Sequence, residues 1–222
     1  MNRRKTMLKV KGILLDLDGT IVDSKEAYVE AFKAALSAIG RKNIDVEKAT
    51  EIPRRLEQNL PIDDLVGKAN VQRFLEAYLK TYYETTVRKG KLMPHTAETL
   101  SILSKRAKLA LITMRHVSKG TIIRELEKFG IAKYFQSVVT ALNTHHPKPS
   151  PEAFKKCAET LGVKINECIV VGDSVADIRA GREAGAKTVA VLSGIFSREE
   201  LERENPDFVI ENIGQLLKIL EQ

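Results

Sequence analysis

Two carboxylates two residues apart, Asp16 and Asp18, close an apolar run over residues 10–15. On an extended chain residues i and i+2 point to the same side, so both acids address one place. Like charges that close together are costly unless a cation or a proton lies between them. The stretch Asp16-Leu17-Asp18-Gly19-Thr20 therefore calls for a metal, a shared proton, or both. Other polar residues stand at the ends of other apolar runs: Thr113 after 107–112, Lys148 in a Pro-rich turn after 137–140, and Asp173 with Asp177 after 167–171. Carboxylates with open coordination positions are how proteins hold Mg²⁺, which keeps some waters and takes a phosphate oxygen as a further ligand. Thr113, at a strand-to-helix turn and followed by the backbone amide of Met114, offers unpaired donors to an anion. Lys148 offers a compact positive charge for a phosphoryl oxygen. A carboxylate can attack phosphorus to give an aspartyl-phosphate. A second carboxyl two residues on can protonate the leaving oxygen and later activate water.

The elements that must bring these residues together follow from hydrophobic periodicity. Residues 24–39 carry Ala27, Ala31, Phe32, Ala34, Ala35, Leu36 and Ala38 at helical spacing, with Asp23 or Ser24 as N-cap and Gly40 as stop. Segments 45–59, 61–68 and 70–86 continue as charged helices punctuated by Pro53 and Pro61, and residues 21–91 show no strand pattern. Beyond them, helices at 94–104, 117–129, 151–161, 177–184 and 213–220 alternate with strands at 107–112, 137–140, 167–171, 188–192 and 208–210. Uninterrupted apolar strands alternating with helices specify a parallel sheet covered on both faces. The expected fold is α/β: a Rossmann-like, doubly wound core from 1–20 and 92–222, with an all-helical domain, 21–91, inserted after the first strand. In such sheets ligands bind outside the carboxyl ends of the strands, where every residue named above is expected. The insertion leaves directly from that edge and is expected to act as a lid that excludes water.

Composition narrows the function classes. The chain has 222 residues, 43% apolar and 29% charged, values of a globular protein. No run of about 18 apolar residues predicts a membrane span, and the basic first eleven residues lack the apolar segment of a signal peptide, so a cytoplasmic location is expected. Of the net charge of +7, Arg3, Arg4, Lys5, Lys9 and Lys11 supply five; the remaining 211 residues carry 31 basic and 29 acidic side chains. A nucleic-acid surface would spread its charge over the fold, so no nucleic-acid partner is expected. Cys157 and Cys168 match no metal or disulfide pattern and are expected as buried, reduced thiols. A calcium loop is excluded because an EF-hand needs Gly sixth and Glu twelfth, whereas Gly19 is fourth and Ala27 twelfth.

Asp16-x-Asp18-Gly19-Thr20, Thr113 after an apolar strand, Lys148, and Gly172-Asp173-Ser174-x-x-Asp177 are similar, in order and spacing, to the four motifs of the haloacid dehalogenase-like superfamily. The helical insertion resembles the cap of its subfamily I. The resemblance covers the whole core, and the run from Gly172 to Gly181 is its most specific part. It implies Asp16 as nucleophile and metal ligand, and Asp18 as general acid/base with its backbone carbonyl on the metal. It implies Asp173 as a Mg²⁺ ligand, Asp177 as a ligand or a partner of one, and Thr113, the Met114 backbone and Lys148 around the phosphoryl group. The implied activity is Mg²⁺-dependent hydrolysis of a small phosphorylated metabolite, phosphoglycolate phosphatase-like by analogy. Asp18 separates the chain from the dehalogenase branch. A phosphomutase similar to β-phosphoglucomutase keeps the same motifs, and a phosphate-binding or regulatory protein without turnover is the alternative of another class. Fold and motifs do not fix the substrate.

Three arginines bear on the substrate. Arg115, where many relatives carry a small polar residue nearby, would bind an anionic leaving group or, the favoured reading, cap and solvate a helix start. Arg54 and Arg55 beside Pro53 would meet a carboxylate or second phosphate or, again favoured, form a solvated helix face. His145 and His146 are expected to be structural or exposed. Nothing in the sequence specifies an oligomeric state.

Overall fold

The computed structural model describes residues 8–41 and 45–220. The basic residues Arg3, Arg4 and Lys5 lie outside the described residues. The chain divides into two compact units, one built from the segment up to Ile21 together with the chain from Leu92 onward, the other from Val22–Lys91.

The first unit opens with strand β1 (Gly12–Asp16), all five of whose residues are buried. The second unit follows: β2 (Val22–Asp23), α1 (Lys25–Ala38), α2 (Glu51–Glu57), α3 (Asp63–Val66), α4 (Val71–Lys89) and β3 (Lys91–Leu92). The chain then returns through α5 (Thr96–Leu103), β4 (Lys108–Ile112), α6 (Lys119–Lys128), β5 (Phe135–Val139), α7 (Glu152–Leu161), β6 (Cys168–Gly172), α8 (Val175–Ala184), β7 (Lys187–Val191), α9 (Arg198–Arg203), β8 (Phe208–Ile210) and α10 (Leu216–Ile219).

Six strands form one parallel sheet in the order β5-β4-β1-β6-β7-β8. Strand β1 is central, and the chain builds outward from it first on the β4 side and then on the β6 side, which makes its carboxyl end the switch point of the sheet. One core layer packs Phe154, Cys157 and Leu161 of α7 and Ala180 of α8 against Leu14, Ala110, Ile112 and Val170. Another joins Val175 and Ile178 of α8 to Ala190, Phe196 and Leu201. In the second unit α1 and α4 are joined by aromatic side chains: Tyr28 stacks on Tyr82 at 5.3 Å between ring centroids, and Phe32 meets Phe74 edge-on at 6.3 Å. Lys89 at the end of α4 binds Glu26 (2.6 Å) and Glu30 (2.5 Å) of α1.

Several local expectations needed correction. Strands β2 and β3 were not foreseen between 21 and 91; two residues each are too few to show a period. Helix α9 was also missed, although Ser197 and Glu200 form the capping box that such a start requires. The expected helix over 213–220 is a 3-10 turn followed by the single turn of α10. Pro53 does not separate helices but sits in the first turn of α2, where its missing N–H has no intrahelical partner to lose.

Among the described residues no helix is long and apolar enough to cross a membrane. Cys157 and Cys168 are buried and unpaired as disulfides. Burial pushes the Cys157 thiol up to about 12 and the Cys168 thiol up to about 11, so the thiolate is scarce at both sites. Neither thiol is therefore expected to react with a disulfide reagent in the folded protein at about pH 8, where a solvated thiol ionises readily. Both should react once the protein is unfolded; fast labelling before unfolding would contradict the burial of the α7–β6 layer.

Candidate active site

Three adjacent strands each end on a residue that can do chemistry. Asp16 is the last residue of β1, Thr113 follows the end of β4, and Asp173 follows the end of β6. The register that pairs Asp16 with Ile112 and Leu15 with Val171 holds these ends level. Asp177 enters from the first turn of α8, whose N-cap is Ser174: the Ser174 hydroxyl donates to Asp177 Oδ2 at 2.7 Å, and the Ser174 amide donates to the same oxygen at 3.2 Å. The other Asp177 oxygen faces Lys148. That lysine, only 2% exposed, comes from the loop between β5 and α7 and donates from Nζ to Asp16 Oδ1 and to Asp177 Oδ1, both at 2.6 Å.

Asp16, Asp173 and Asp177 are buried, and one carboxylate oxygen from each lies within 4.8 Å of the others. Lys148 is in contact with two of the three, so positive charge is short at their centre. Burial pushes the Asp16 carboxyl up to about 7 against the pull of Lys148, with Asp177 and Asp18 adding to the rise. Burial alone would lower the Lys148 pKa, but Asp16 and Asp177 outweigh it and hold it above its ordinary value. Three converging hard oxygens with a deficit of positive charge fit a divalent cation of the Mg²⁺ kind.

Asp173 is held by a hydroxyl and by closely packed backbone. Thr20 donates its hydroxyl to Asp173 Oδ1 at 2.9 Å. Two backbone segments close on Oδ2: a Cβ placed on Gly194 would come within 1.7 Å of it and one on Gly19, which also has φ +85°, within 2.3 Å. The Ser193 hydroxyl donates to the Gly19 carbonyl at 2.6 Å and joins the loop after β7 to the loop after β1. Thr20, Ser193 and Gly194 were not singled out in the sequence as site residues. Ser193-Gly194 follows the next strand at the same edge of the sheet, so extending the strand-end argument by one strand would have found it.

The helix expected over 117–129 begins two residues later, so Thr113 does not itself open a helix. Helix α6 starts at Lys119 and is capped by Ser118, whose Oγ accepts from the Thr121 amide at 3.2 Å. The amides near Thr113 are instead those of a loop through Met114 and Arg115; Thr113 Oγ1 accepts from the Arg115 amide at 3.2 Å. The loop is needed because Arg115 turns inward. Its exposure is 5%, against the solvated cap read from the sequence, and it binds Asp18 through two nitrogens and Glu125 through the third. Burial holds the Glu125 carboxyl above its ordinary value, with Arg115 opposing. Nothing in the sequence distinguished Glu125 from the other charged positions of α6.

The remaining candidates stand on other elements of the chain. Arg54 and Arg55 belong to α2 of the second unit, where Arg55 donates to Glu51 (2.8 Å), to the Pro61 carbonyl (3.0 Å) and to Asp64 (2.5 Å). His145 and His146 have exposed side chains, and their backbone amides donate to Glu152 at the start of α7 at 2.9 and 3.2 Å.

The model of the haloacid dehalogenase-like hydrolases matches residues 13–191, a span that begins at β1, ends with β7 and includes every residue of the cluster. The chain belongs to this family. A bacterial relative from Caldanaerobacter subterraneus, named provisionally as the pyrophosphatase PpaX, is 32% identical, with 96% of each chain covered. The phosphoglycolate phosphatase of Escherichia coli K12 is 30% identical over 95% of this chain and 92% of that one. Among solved structures, a hydrolase from Pseudomonas syringae superposes with a TM-score of 0.75 at 27% identity, covering 94% of this chain and 96% of that one. Each of these matches covers at least 94% of the hydrolase, a share that takes in both units.

The crowding around Asp173 is open to test. Gly194→Ala cannot be accommodated without moving the Asp173 carboxylate, and displaced supports of ligands typically cost about 10–100-fold in metal affinity. That loss is expected in the Mg²⁺ concentration needed for half-maximal thermal stabilisation. Unchanged Mg²⁺ dependence in a folded Gly194→Ala protein would remove Asp173 from the cation site.

Proposed function

We propose that this hydrolase is a Mg²⁺-dependent phosphatase that cleaves the phosphate monoester of a small metabolite through an aspartyl-phosphate. The observation that carries the reading is the Asp16–Lys148–Asp177 chain of buried charge, with Asp173 beside it and Asp18 two residues on. Asp16 is the nucleophile: Lys148 fixes one of its oxygens and leaves the other to attack phosphorus as the ester P–O bond breaks. Asp18 gives its proton to the departing oxygen. In the second half Asp18 takes a proton from a water that attacks the aspartyl-phosphate, releasing phosphate and restoring the Asp16 carboxylate. Thr113, the amides of the loop that begins at Met114, and Lys148 hold the phosphoryl oxygens. Asp16, Asp173, Asp177 and the Asp18 carbonyl would hold Mg²⁺, which would supply charge neutralisation for the phosphoryl group.

The names of the relatives support a small phosphorylated substrate, with phosphoglycolate and inorganic pyrophosphate as the first two to assay. Buried, reduced thiols and the absence of a membrane-crossing helix among the described residues are compatible with work in the cytoplasm.

Phosphate release from phosphoglycolate, pyrophosphate, glycerol phosphate and p-nitrophenyl phosphate is the direct assay. Chelation of divalent cations should abolish turnover and added Mg²⁺ should restore it. Asp16→Asn is expected to lower kcat by roughly 10³-fold or more, the scale seen when a nucleophile is removed. Turnover that survives Asp16→Asn would sink the covalent mechanism.

A further inference from the structure

Arg115 is the one buried cation of the first unit, besides Lys148, whose partners include a residue of the Asp16–Thr20 stretch, among the described residues and the ion pairs they form. Its Nε donates to Asp18 Oδ2 at 2.8 Å and its Nη2 to Asp18 Oδ1 at 2.6 Å, a two-pronged contact in which both carboxylate oxygens are engaged. The third nitrogen, Nη1, donates to Glu125 Oε2 at 2.6 Å. Glu125 is 4% exposed, and its second oxygen, Oε1, is buried without a hydrogen-bond partner. Taking a guanidinium and a carboxylate out of water is expensive, and a pair of apolar residues of similar volume often serves stability as well or better. An orphaned carboxylate oxygen adds to that cost. The arrangement is poorly explained as a stabilising device. It does one thing an apolar pair cannot, which is to fix the plane of a neighbouring carboxylate. A guanidinium has the planar fork that matches a carboxylate edge, and an ammonium does not.

We propose that Arg115 is the positioning residue for Asp18, with Glu125 as the clamp that keeps the guanidinium in place. The Asp18 side chain is 13% exposed while Arg115 and Glu125 are each 4% exposed, so of the three the acid is the most open to a reacting group. With both oxygens accepting from the guanidinium neither can carry a proton, so one arm of the fork opens when Asp18 is in its acid form and closes once the proton has left. The other arm and the Nη1–Glu125 contact hold the guanidinium where it is, so the freed Asp18 oxygen moves along one direction only. The proton it carries passes to the ester oxygen as the P–O bond breaks and is regained from the attacking water. The inference rests on Asp18 being the acid/base, as proposed above, and assigns Arg115 no contact with the substrate.

The test compares substrates that differ in their need for a proton. p-Nitrophenol leaves without protonation, whereas the alcohol of an alkyl phosphate does not. Kinetics are measured for wild type, Asp18→Asn, Arg115→Lys and the double variant Arg115→Met/Glu125→Leu, on p-nitrophenyl phosphate and on the alkyl phosphate turned over fastest in the panel. The double variant removes the two buried charges together, so it remains informative if Arg115→Lys folds poorly; thermal unfolding checks each protein. In both Arg115 variants kcat/KM on the alkyl phosphate, which reports the steps up to departure of the alcohol and not the hydrolysis of the aspartyl-phosphate common to both substrates, is expected to fall about 100-fold, the lower end of what acid–base catalysis contributes. The fall in kcat/KM on p-nitrophenyl phosphate should be at least about 10-fold smaller. Equal losses on the two substrates, with Asp18→Asn still selective, would make Arg115 merely structural and overturn the inference while leaving the acid/base role of Asp18 standing. A rise in KM in place of a fall in kcat would make Arg115 a substrate ligand and overturn it too. If Asp18→Asn is itself unselective, the assignment of Asp18 fails and the positioning role fails with it.

Discussion

The contact of Lys148 with Asp16 and Asp177 is the constraint on which the first unit's chemistry depends. Each ion taken out of water costs several kcal/mol even after relaxation, and here three carboxylates and a lysine are buried together. One ammonium hydrogen-bonded to two of the acids offsets part of that cost. It cannot offset all of it, which is why the Asp16 carboxyl is pushed upward while Lys148 remains firmly protonated. The residual negative charge suits the cluster to a divalent cation, and the deficit that costs stability would then be the source of the affinity.

Such a cluster survives only on a frame that prevents the acids from moving apart. The parallel sheet provides it: β1, β4 and β6 are adjacent, buried and in register, and their ends cannot shift without breaking the pairing. Backbone completes the frame where side chains would not fit. Gly19 and Gly194 close on the Asp173 carboxylate from two loops, while Thr20 and Ser193 tie those loops together with hydrogen bonds. The loops are therefore parts of the site and not mere connections.

Asp16 and Asp18 begin as chemically identical groups at one strand end and are made unequal by different cations. Asp16 takes a single point of contact from a buried ammonium, which leaves an oxygen for attack. Asp18 takes the two prongs of a guanidinium anchored by Glu125, which sets the plane of its carboxylate. In the proposed mechanism it is environment, not residue type, that would separate the nucleophile from the acid.

The sequence by itself determined the six strands of the parallel sheet and the residues at their ends, because both follow from local pattern: buried parallel strands are written as apolar runs, and their ends as the first polar residue after each run. Asp16, Thr113 and Asp173 were legible in this way, and Asp18, Lys148 and Asp177 from the motifs that complete them. Tertiary structure alone decided what each of them touches. Arg115 and Glu125 read as ordinary surface charges, since nothing local separates a buried ion pair from a solvated one; both are buried where the loop between β4 and α6 brings Arg115 onto Asp18 and Glu125. Gly194 was silent for a related reason, because the requirement for no side chain comes from Asp173, 21 positions earlier in the chain. The two unequal carboxylates are present in the sequence as a spacing, but their inequality is a matter of which cation reaches which oxygen, and only the folded chain can set that distance.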